Sequence, residues 1–429
     1  MCLPNRPGND IYYSKVLSFV NTILPFFEIF FGFPAARPVK GGRNVRPAHT
    51  IREGETGGSP AKRRNIMITV SLCMIVKNEE DVLARCLRSA AGVADEIIVV
   101  DTGSTDRTKE IARREGAKVF DYPWADDFAA ARNYSFDQAT MDYQLWLDAD
   151  DVLPENTRRG LMLVKEQLPP WVDVVMLPYH TAFDEAGRPL LTFYRERLLR
   201  RSCRYKWEGE VHEVIPVAGR RISLPLPVEH RKLHASEPGR NLRILEGLIR
   251  SGRELSPRQQ FYYARELLFA GRYRQAAIWL ERFLHAGGWR EDNIRACLDL
   301  SLCMEQLGRE EEALRAVFRS FLYDNPRAES CCAAGGLLER RGDYERAVYW
   351  YRLALDCPKT ESGFCNPDMQ EFIPCMQLCV CLDRLGDRKG AEAYHRRAKA
   401  LKPEDRAVQY NERYFASLHA SCQEEAQTI

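Results

Sequence analysis

Between residues 68 and 178 the chain alternates apolar runs with segments of helical periodicity, and this alternation limits the fold more than any other feature. The apolar runs are nearly continuous and rich in β-branched residues, which is typical of strands buried on both faces. Strands of this kind, joined by helices, form a parallel sheet that helices cover on each side. The sequence therefore predicts an α/β domain with a Rossmann-like parallel or mixed sheet. The predicted strands are Ile68–Val76, Glu96–Val100, Lys118–Phe120, Gln144–Leu147 and Asp173–Pro178.

Two helices are predicted between the first three strands. One covers Asp81–Gly92, where apolar residues recur at helical spacing and the glycine marks the end. The other runs to Gly116. Ser104 or Thr105 is expected to cap its beginning, because a hydroxyl oxygen there can accept a backbone N–H.

The strand predicted at Gln144–Leu147 leads directly into three acidic residues, Asp148, Asp150 and Asp151. Carboxylates placed together at the end of a buried strand repel one another, and a divalent cation that prefers oxygen ligands, Mg²⁺ or Mn²⁺, relieves the repulsion. Ligands of parallel α/β sheets bind beyond the carboxyl ends of the strands, and Asp101 follows the second strand at the same edge. The alternative is an acidic surface turn with a helix cap. The strand context favours the metal site.

Three stretches in this order and spacing resemble the family 2 glycosyltransferases, which have the GT-A nucleotide-sugar fold. They are VSLCMIVKNEE at 70–80, IIVVDTGSTD at 97–106 and LWLDADD at 145–151. A fourth stretch, AAARN at 129–133, matches a segment that the family places before its Asp-x-Asp motif. Thr102 stands where the family usually has a second aspartate, a variant similar to a bacterial branch linked to tetratricopeptide (TPR) repeats. The resemblance covers roughly residues 68–235.

The resemblance implies a role for each of several residues. Asp101 would accept a hydrogen bond from the base of a nucleotide, and Arg132 would lie near the nucleotide. Asp148 and Asp150 would hold the ribose and a Mn²⁺ or Mg²⁺ ion that bridges the sugar diphosphate. Two alternatives stay open: Asp101 as a turn residue before a helix, and Arg132 as a surface arginine paired with an aspartate at 126–127.

An inverting transfer also needs a general base for the proton of the acceptor, and candidates lie in WEGEVHE at 207–213. Strand-like alternation there would put Glu210 and His212 on one side. The segment is similar to an acceptor-side Trp-Gly-Gly-Glu of some GT-A enzymes, which favours Glu210 as the base, with Glu213 second; the alternative is a solvated acidic edge.

His212 and His230 are each candidates for a third metal ligand, because GT-A enzymes often use a late histidine. The alternative for each is a hydrogen-bonded structural histidine.

A basic run, RERLLRR, occupies residues 195–201. These side chains could contact a diphosphate. The sequence favours a mostly solvated strand face instead, because runs of charge usually face water.

From about Ser256 the strand patterns end and a helical pattern repeats four times. Each copy has a small residue, a glycine seven positions later and an alanine five positions after the glycine. The copies are Ala264, Gly271 and Ala276; Ser301, Gly308 and Ala313; Gly335, Gly342 and Ala347; and Cys379, Gly386 and Ala391. The glycines lie near the ~34-residue period of TPR repeats, and each would end a helix by adopting a positive φ.

The sequence therefore predicts an all-α, TPR-like domain over residues 256–425. An insertion at Lys359–Pro374 interrupts the period, and Glu404–Glu425 is expected to be a terminal helix. Stacked repeats leave a concave groove. We expect an acceptor protein or peptide in that groove; the alternative is a scaffold that only completes the fold.

The composition is that of an ordinary two-domain protein, with 429 residues, 45% hydrophobic residues and a net charge of +2. No charge imbalance suggests nucleic-acid binding. Many of the 14 cysteines, such as Cys73 and Cys86, fall at apolar positions of predicted strands or helices. Buried free thiols indicate a reducing, cytoplasmic location. Zinc at Cys365–Cys381 is disfavoured, because these residues lack a paired Cys-x-x-Cys pattern.

Residues 1–66 are predicted to be an extension before a transferase domain at 67–240. Val16–Ala36 is long enough to span a membrane, although Glu28 in its middle costs about 2.5–3.5 kcal/mol on insertion scales. The basic residues that follow would keep the transferase on the cytoplasmic face of that membrane. The favoured interpretation is that the protein starts at Met67, directly before the first strand, with the upstream stretch mis-assigned.

The sequence as a whole predicts a metal-dependent, inverting glycosyltransferase. It would move a sugar from a nucleotide-sugar donor, expected to be UDP-linked, to a peptide, a protein or a cell-envelope glycan. Similar TPR-linked transferases include peptide S-glycosyltransferases, so a cysteine acceptor is included. One alternative is a catalytically inactive TPR interaction protein with a vestigial GT-A domain. A sugar-nucleotide nucleotidyltransferase ranks last, because residues 76–80 hold no glycine-rich loop.

Overall fold

The computed structural model describes residues 67–183, 187, 189–233, 237–358 and 366–427. They form two compact units, of which the second begins at Glu237. The predicted extension at 1–66, with its membrane segment at 16–36, lies outside the described residues. Among the helices that the structure describes, none is both long enough and apolar enough to cross a membrane.

The first unit is a mixed sheet flanked by helices. Its strands are β1 (Val70–Val76), β2 (Glu96–Asp101), β3 (Lys118–Asp121), β4 (Tyr143–Trp146), β5 (Asp151–Val152), β6 (Val174–Phe183), β7 (Pro189–Arg200), β8 (Arg221–Ser223) and β9 (Val228–His230). Its α-helices are α1 (Leu83–Ser89), α2 (Thr108–Arg114), α3 (Phe128–Asp137) and α4 (Glu155–Gln167). All five predicted strands are present, so the α/β prediction is confirmed.

The strand order is β3-β2-β1-β4-β7-β6-β9-β5, with β8 paired to β6. The first four strands are parallel, and β7 joins β4 in antiparallel register. Alternate residues of one strand enter different apolar clusters: Leu72 and Met74 pack in one, and Cys73 packs in the other. Burial on both faces explains why the strand sequences are continuously apolar.

Strand β7 carries the basic run at 195–201 into the middle of the sheet, between β4 and β6. Arg195 is 3% exposed and Arg197 is 0% exposed. The expectation of a mostly solvated face was therefore wrong, because both guanidinium groups pack on the Trp146 ring and pair with the buried acids Glu196 and Asp151.

The beginning of α2 also differs from the prediction. Neither Ser104 nor Thr105 caps the helix, which begins at Thr108 without a side-chain cap. The Ser104 hydroxyl instead accepts the backbone N–H of Asn78 at 2.9 Å, and the Thr105 N–H donates to the Asn78 side chain at 2.8 Å. These bonds tie the loops after β1 and β2 together at the carboxyl edge of the sheet.

The second unit is entirely helical in the described residues. Its α-helices are α5 (Arg240–Arg250), α6 (Pro257–Phe269), α7 (Tyr273–Ala286), α8 (Arg290–Gln306), α9 (Glu310–Arg319), α10 (Ala328–Arg340), α11 (Tyr344–Asp356), α12 (Pro367–Gln370), α13 (Phe372–Arg384), α14 (Arg388–Leu401) and α15 (Arg406–Gln427). Part of the predicted insertion, residues 359–365, lies outside the described ranges. Eleven cysteines of the described ranges are free thiols, and most of them are buried.

Four helices of this unit end in the same way, at the four predicted glycines. Each glycine has a φ between 70° and 85°. The N–H after each glycine donates to the carbonyl five residues earlier: Arg272 to Leu267, Arg309 to Met304, Asp343 to Leu338 and Asp387 to Leu382. This is the Schellman pattern, which the absence of a Cβ makes favourable. The TPR-like prediction is thus confirmed at the level of the repeated helix pair.

The small residue of the third pair offers a test of the close helix packing. A Cβ on Gly335 would lie 2.9 Å from the ring of Tyr351, whose buried hydroxyl donates to Glu339 at 2.7 Å. Because the ring is held in place, we expect Gly335→Ala to lower the free energy of unfolding by about 1–3 kcal/mol. Thermal unfolding followed by circular dichroism measures the change.

The adjacent Gly336→Ala is the matched control. Its Cβ would meet a flexible Arg340 side chain at 3.3 Å, so helix propensity should stabilise this variant by up to about 1 kcal/mol. Equal effects of the two substitutions would contradict the packing argument.

Candidate functional site

Three aspartates follow β4 at the carboxyl edge of the parallel strands. Asp148 and Asp150 are partly buried, and Asp151 is fully buried at the start of β5. Strand β5 pairs with β9 so that Asp151 lies opposite His230. This pairing brings a histidine from 79 residues further along the chain to the aspartates.

Asp150, Asp151 and His230 form the candidate cation site of the described residues. One ligand atom of each lies within 4.8 Å of the others. His230 Nδ1 is 3.2 Å from Asp150 Oδ1 and 3.2 Å from Asp151 Oδ1. His230 Nε2 is buried and has no hydrogen-bond partner.

Charge interactions dominate this cluster. Burial would raise the pKa of Asp151, but the Arg197 guanidinium at 3.0 Å and the His230 ring together lower that pKa to about 2. Burial would likewise lower the pKa of His230, but its hydrogen bonds to Asp150 and Asp151 raise it to about 10. The cluster therefore binds a proton tightly, and a cation that enters must displace it.

The two carboxylates suit a divalent ion such as Mn²⁺ or Mg²⁺, and the imidazole nitrogen is a ligand typical of first-row transition ions. Two ligands about 2.1 Å from one ion at a right angle lie about 3 Å apart. The 3.2 Å separations in the cluster are close to this value. Asp148 and His212 do not belong to the group.

Asp148 is instead linked to Arg132. The Arg132 guanidinium donates to Asp148 Oδ1 and to Glu213 Oε1, each at 2.7 Å. It lies over the rings of Trp146 and Trp207, 5.4 and 4.8 Å from their centroids. The alternative of a surface arginine paired at 126–127 was wrong, because Arg132 is buried between two tryptophans and two other acids.

Asp101 lies at the end of β2 with a buried side chain. Its carboxylate accepts the backbone N–H groups of Gly103 at 3.2 Å and Ser104 at 3.0 Å. Lys109 Nζ approaches to 4.0 Å. The residue thus organises its own turn at the same sheet edge as Asp148, and its contact with a nucleotide base stays a prediction.

The segment at 207–213 is a tight loop rather than an alternating strand. The backbones of Glu208 and Val214 exchange hydrogen bonds at 2.8 and 3.1 Å. Gly209 and His212 have φ angles of 98° and 53°. The expected alternation of residues 210 and 212 was therefore wrong, because positive φ angles reverse the chain direction.

Helix α3 holds this loop in place. The Asn133 amide accepts the Trp207 N–H at 2.8 Å and donates to the Trp207 carbonyl at 2.9 Å. The Phe128 N–H donates to the Glu210 carbonyl at 2.9 Å. Together with the Arg132–Glu213 pair, these bonds place Glu210 and Glu213, the two predicted base residues, against α3, whose first turns contain the AAARN stretch. Both glutamates are mostly buried.

Sequence reasoning missed three contributors to the cation cluster: Asp151 as a member, and Tyr179 and Arg197 as its neighbours. Asp151 belongs to the predicted acidic motif, but among its aspartates the sequence assigned only Asp148 and Asp150 as metal ligands. Arg197 could have been noticed, because two arginines two positions apart in a long strand point to one face of the sheet. No local signal marked Tyr179.

Residues 71–218 match the family model described as Glycosyl transferase family 2. This segment is a family 2 glycosyl transferase domain. The resemblance inferred from the four short stretches is thereby confirmed, and the domain contains Asp101, Arg132, Asp148 and Asp150, whereas His230 lies beyond the matched residues.

The chain is also similar to curated proteins over part of their length. The prophage-derived glycosyltransferase SunS of Bacillus subtilis is 28% identical over 232 residues, which are 51% of this chain and 53% of SunS. A TPR repeat-containing protein of Synechococcus elongatus is 55% identical over 87 residues, 20% of this chain and 22% of that protein. The matched segments thus span about half of the first relative and about a fifth of the second.

Among solved structures, the glucosyl-3-phosphoglycerate synthase of Mycobacterium tuberculosis in complex with Mn²⁺, UDP and glucosyl-3-phosphoglycerate is similar at 19% identity and a TM-score of 0.31. The alignment covers 44% of this chain and 82% of that chain.

The buried pairing of Arg132 generates a stability prediction. Arg132→Met leaves Asp148 and Glu213 without their shared cation, so we expect the free energy of unfolding to fall by about 3–5 kcal/mol. Urea unfolding followed by tryptophan fluorescence measures the loss, since Trp146 and Trp207 flank the guanidinium.

Arg159→Met is the control for that measurement. Arg159 is 75% exposed and pairs with Glu155 at 2.7 Å, so its removal should change stability by about 1 kcal/mol at most. A loss for Arg132→Met no larger than that of the control would contradict the bridging role of Arg132.

Proposed function

We propose that the chain is a metal-dependent, inverting glycosyltransferase that transfers a sugar from a nucleotide-sugar donor to a peptide, protein or cell-envelope glycan. The family resemblance favours a UDP-linked donor. One observation carries the proposal. A carboxylate and histidine cluster suited to a divalent cation lies at the carboxyl edge of a sheet, most of whose strands, β1 to β7, lie in the segment that matches family 2 glycosyl transferases. Ligands of parallel α/β sheets bind at this edge.

On the donor side, the nucleotide would lie along the loops after β2 and β4. Asp101 would accept from the base, and Asp148 would contact the ribose. Asp150, Asp151 and His230 would hold the cation, which supplies positive charge to the leaving diphosphate when it is bound. Arg132 reaches Asp148 directly and would add a permanent charge beside the nucleotide.

On the acceptor side, Glu210 is the proposed general base. Glu213 is the second candidate, but its Oε1 is 2.7 Å from Arg132, and protonation of Glu213 would break that buried ion pair. Glu210 would take the proton of the acceptor hydroxyl or thiol. The freed oxygen or sulfur would then form a bond to C1 of the sugar, while the bond between C1 and the diphosphate oxygen breaks on the opposite face with inversion.

The helical unit supports a proteinaceous acceptor. Its repeated helix pairs match the TPR pattern, and one relative is a TPR repeat-containing protein. Stacked repeats offer a concave surface on which an extended peptide can be held. A peptide or protein is therefore the acceptor class that the second unit favours over a glycan.

Donor binding tests the proposed cation site. For the full chain in the presence of Mn²⁺, we expect a nucleotide sugar at 100 times its dissociation constant to add about 2.7 kcal/mol of stability to the unit that binds it. Thermal unfolding with a panel of UDP-, GDP- and dTDP-sugars, with and without Mn²⁺, measures the effect. Asp150→Ala should abolish the Mn²⁺-dependent part.

Asp137→Ala serves as the control, because Asp137 is an exposed residue of the same domain that pairs with Lys206. It should retain the full response. Failure of every donor to stabilise the wild-type chain would sink the transferase proposal and favour the interaction protein with a vestigial domain.

The base assignment is tested by kinetics once a donor is known. Glu210→Gln should lower kcat by about 10²–10⁴-fold, because proton removal from the acceptor is lost, while the donor dissociation constant stays unchanged. Steady-state rates and donor titrations separate the two quantities.

Glu208→Gln is the matched control in the same loop, since Glu208 is exposed and contributes only its backbone to the bridge with Val214. It should keep normal activity. Full activity of Glu210→Gln would overturn the assignment, and a selective loss of kcat in Glu213→Gln would transfer the role to Glu213.

A further inference from the structure

Two residues that the proposed chemistry does not use lie directly behind the cation cluster. Tyr179 belongs to β6 and Arg197 to β7, and both are 0% exposed. Strand β6 pairs with β9, where Tyr179 lies beside Val228, two residues before His230. The sheet therefore brings Tyr179 against the histidine from a neighbouring strand.

The Tyr179 hydroxyl contacts two of the three residues in the cluster. Its oxygen is 2.8 Å from Asp151 Oδ1 and 2.9 Å from His230 Nδ1. A phenol can donate one hydrogen bond and accept another. The hydroxyl donates to the Asp151 carboxylate, and it accepts from His230 Nδ1 when that nitrogen carries a proton. One group thus sets the separation between a carboxylate and a histidine that would share one ion.

Arg197 holds the other side of Asp151. Its Nη1 donates to Asp151 Oδ2 at 3.0 Å and to the Trp146 carbonyl at 3.1 Å. The guanidinium lies between two rings, 3.7 Å from the Trp146 centroid and 4.2 Å from the Tyr179 centroid. Arg197 therefore offsets the buried negative charge of Asp151 and also packs against the ring that carries the Tyr179 hydroxyl.

We propose that Tyr179 is a positioning residue for the cation site and that Arg197 supports it. The Tyr179 hydroxyl holds Asp151 and His230 at the spacing that one divalent ion requires, so that the ion does not have to assemble its ligands. The inference rests on the proposed function, because it takes the cluster to be the cation site of the transferase. Groups that orient metal ligands in this way typically change metal affinity by 10–100-fold.

The test measures Mn²⁺ alone. Tyr179→Phe in the full chain removes one oxygen atom and keeps the ring that packs on Arg197 and Phe193. The Mn²⁺ dissociation constant is obtained from the electron paramagnetic resonance signal of the free ion. We expect it to rise about tenfold in this variant.

Tyr143→Phe is the matched control. Tyr143 is also a buried tyrosine of the same sheet, and its hydroxyl donates to the Val172 carbonyl at 2.5 Å, outside the cation cluster. It measures the general cost of losing a buried hydroxyl, through the melting temperature. A purely structural role predicts similar effects of the two variants on Mn²⁺ affinity, whereas a positioning role predicts an effect only for Tyr179→Phe.

A double-mutant cycle shows whether Tyr179 acts through His230. In a His230→Gln background, removal of the Tyr179 hydroxyl should have little further effect on the Mn²⁺ dissociation constant. Wild-type affinity in Tyr179→Phe, equal weakening in Tyr143→Phe, or full additivity with His230→Gln would each overturn the positioning role alone. A wild-type chain that binds no Mn²⁺ would overturn it together with the proposed function.

Discussion

The buried ion pair between Asp151 and Arg197 is the interaction on which the carboxyl edge of the sheet depends. Both side chains are fully excluded from solvent. Burying two charges is costly unless each finds close partners, and Asp151 finds them in Arg197, Tyr179, His230 and the backbone N–H of Asp148. These partners come from separate strands and loops. One carboxylate therefore joins the acidic loop after β4 to three other strands of the sheet.

Arg132 makes a second connection of the same kind, between the acidic loop and the acceptor-side loop. A guanidinium can bond two carboxylates at once because its donors fork in a plane, which the ammonium of a lysine cannot reproduce. The bond to Asp148 reaches the donor side, and the bond to Glu213 reaches the loop that carries Glu210. The positions of the proposed nucleotide ligand and the proposed base are thus coupled through one helix. The AAARN stretch contributes a second contact to this loop, because the Asn133 side chain hydrogen-bonds the backbone of Trp207.

The two units differ in how far local sequence defines them. In the helical unit, each of the four repeat glycines has a positive φ and ends a helix through hydrogen bonds within five residues, so the repeat could be predicted from glycine spacing alone. In the sheet unit, the alternation of apolar runs with helical segments predicted the positions of β1 to β4 and β6 correctly. The insertion of β7 between β4 and β6 was not foreseeable, because strand order depends on pairing between distant segments.

The sequence by itself determined the α/β class, the repeated helix pairs and the acidic loop at the end of β4, because hydrophobic period, glycine spacing and motif order are local properties. Only the tertiary structure decided which histidine joins the aspartates. His212 is nearer in sequence, yet β5–β9 pairing brings His230 to Asp151. It also decided that Arg132 faces Asp148 rather than the acids beside it. Such choices follow from strand register and burial, which act between residues far apart in the chain.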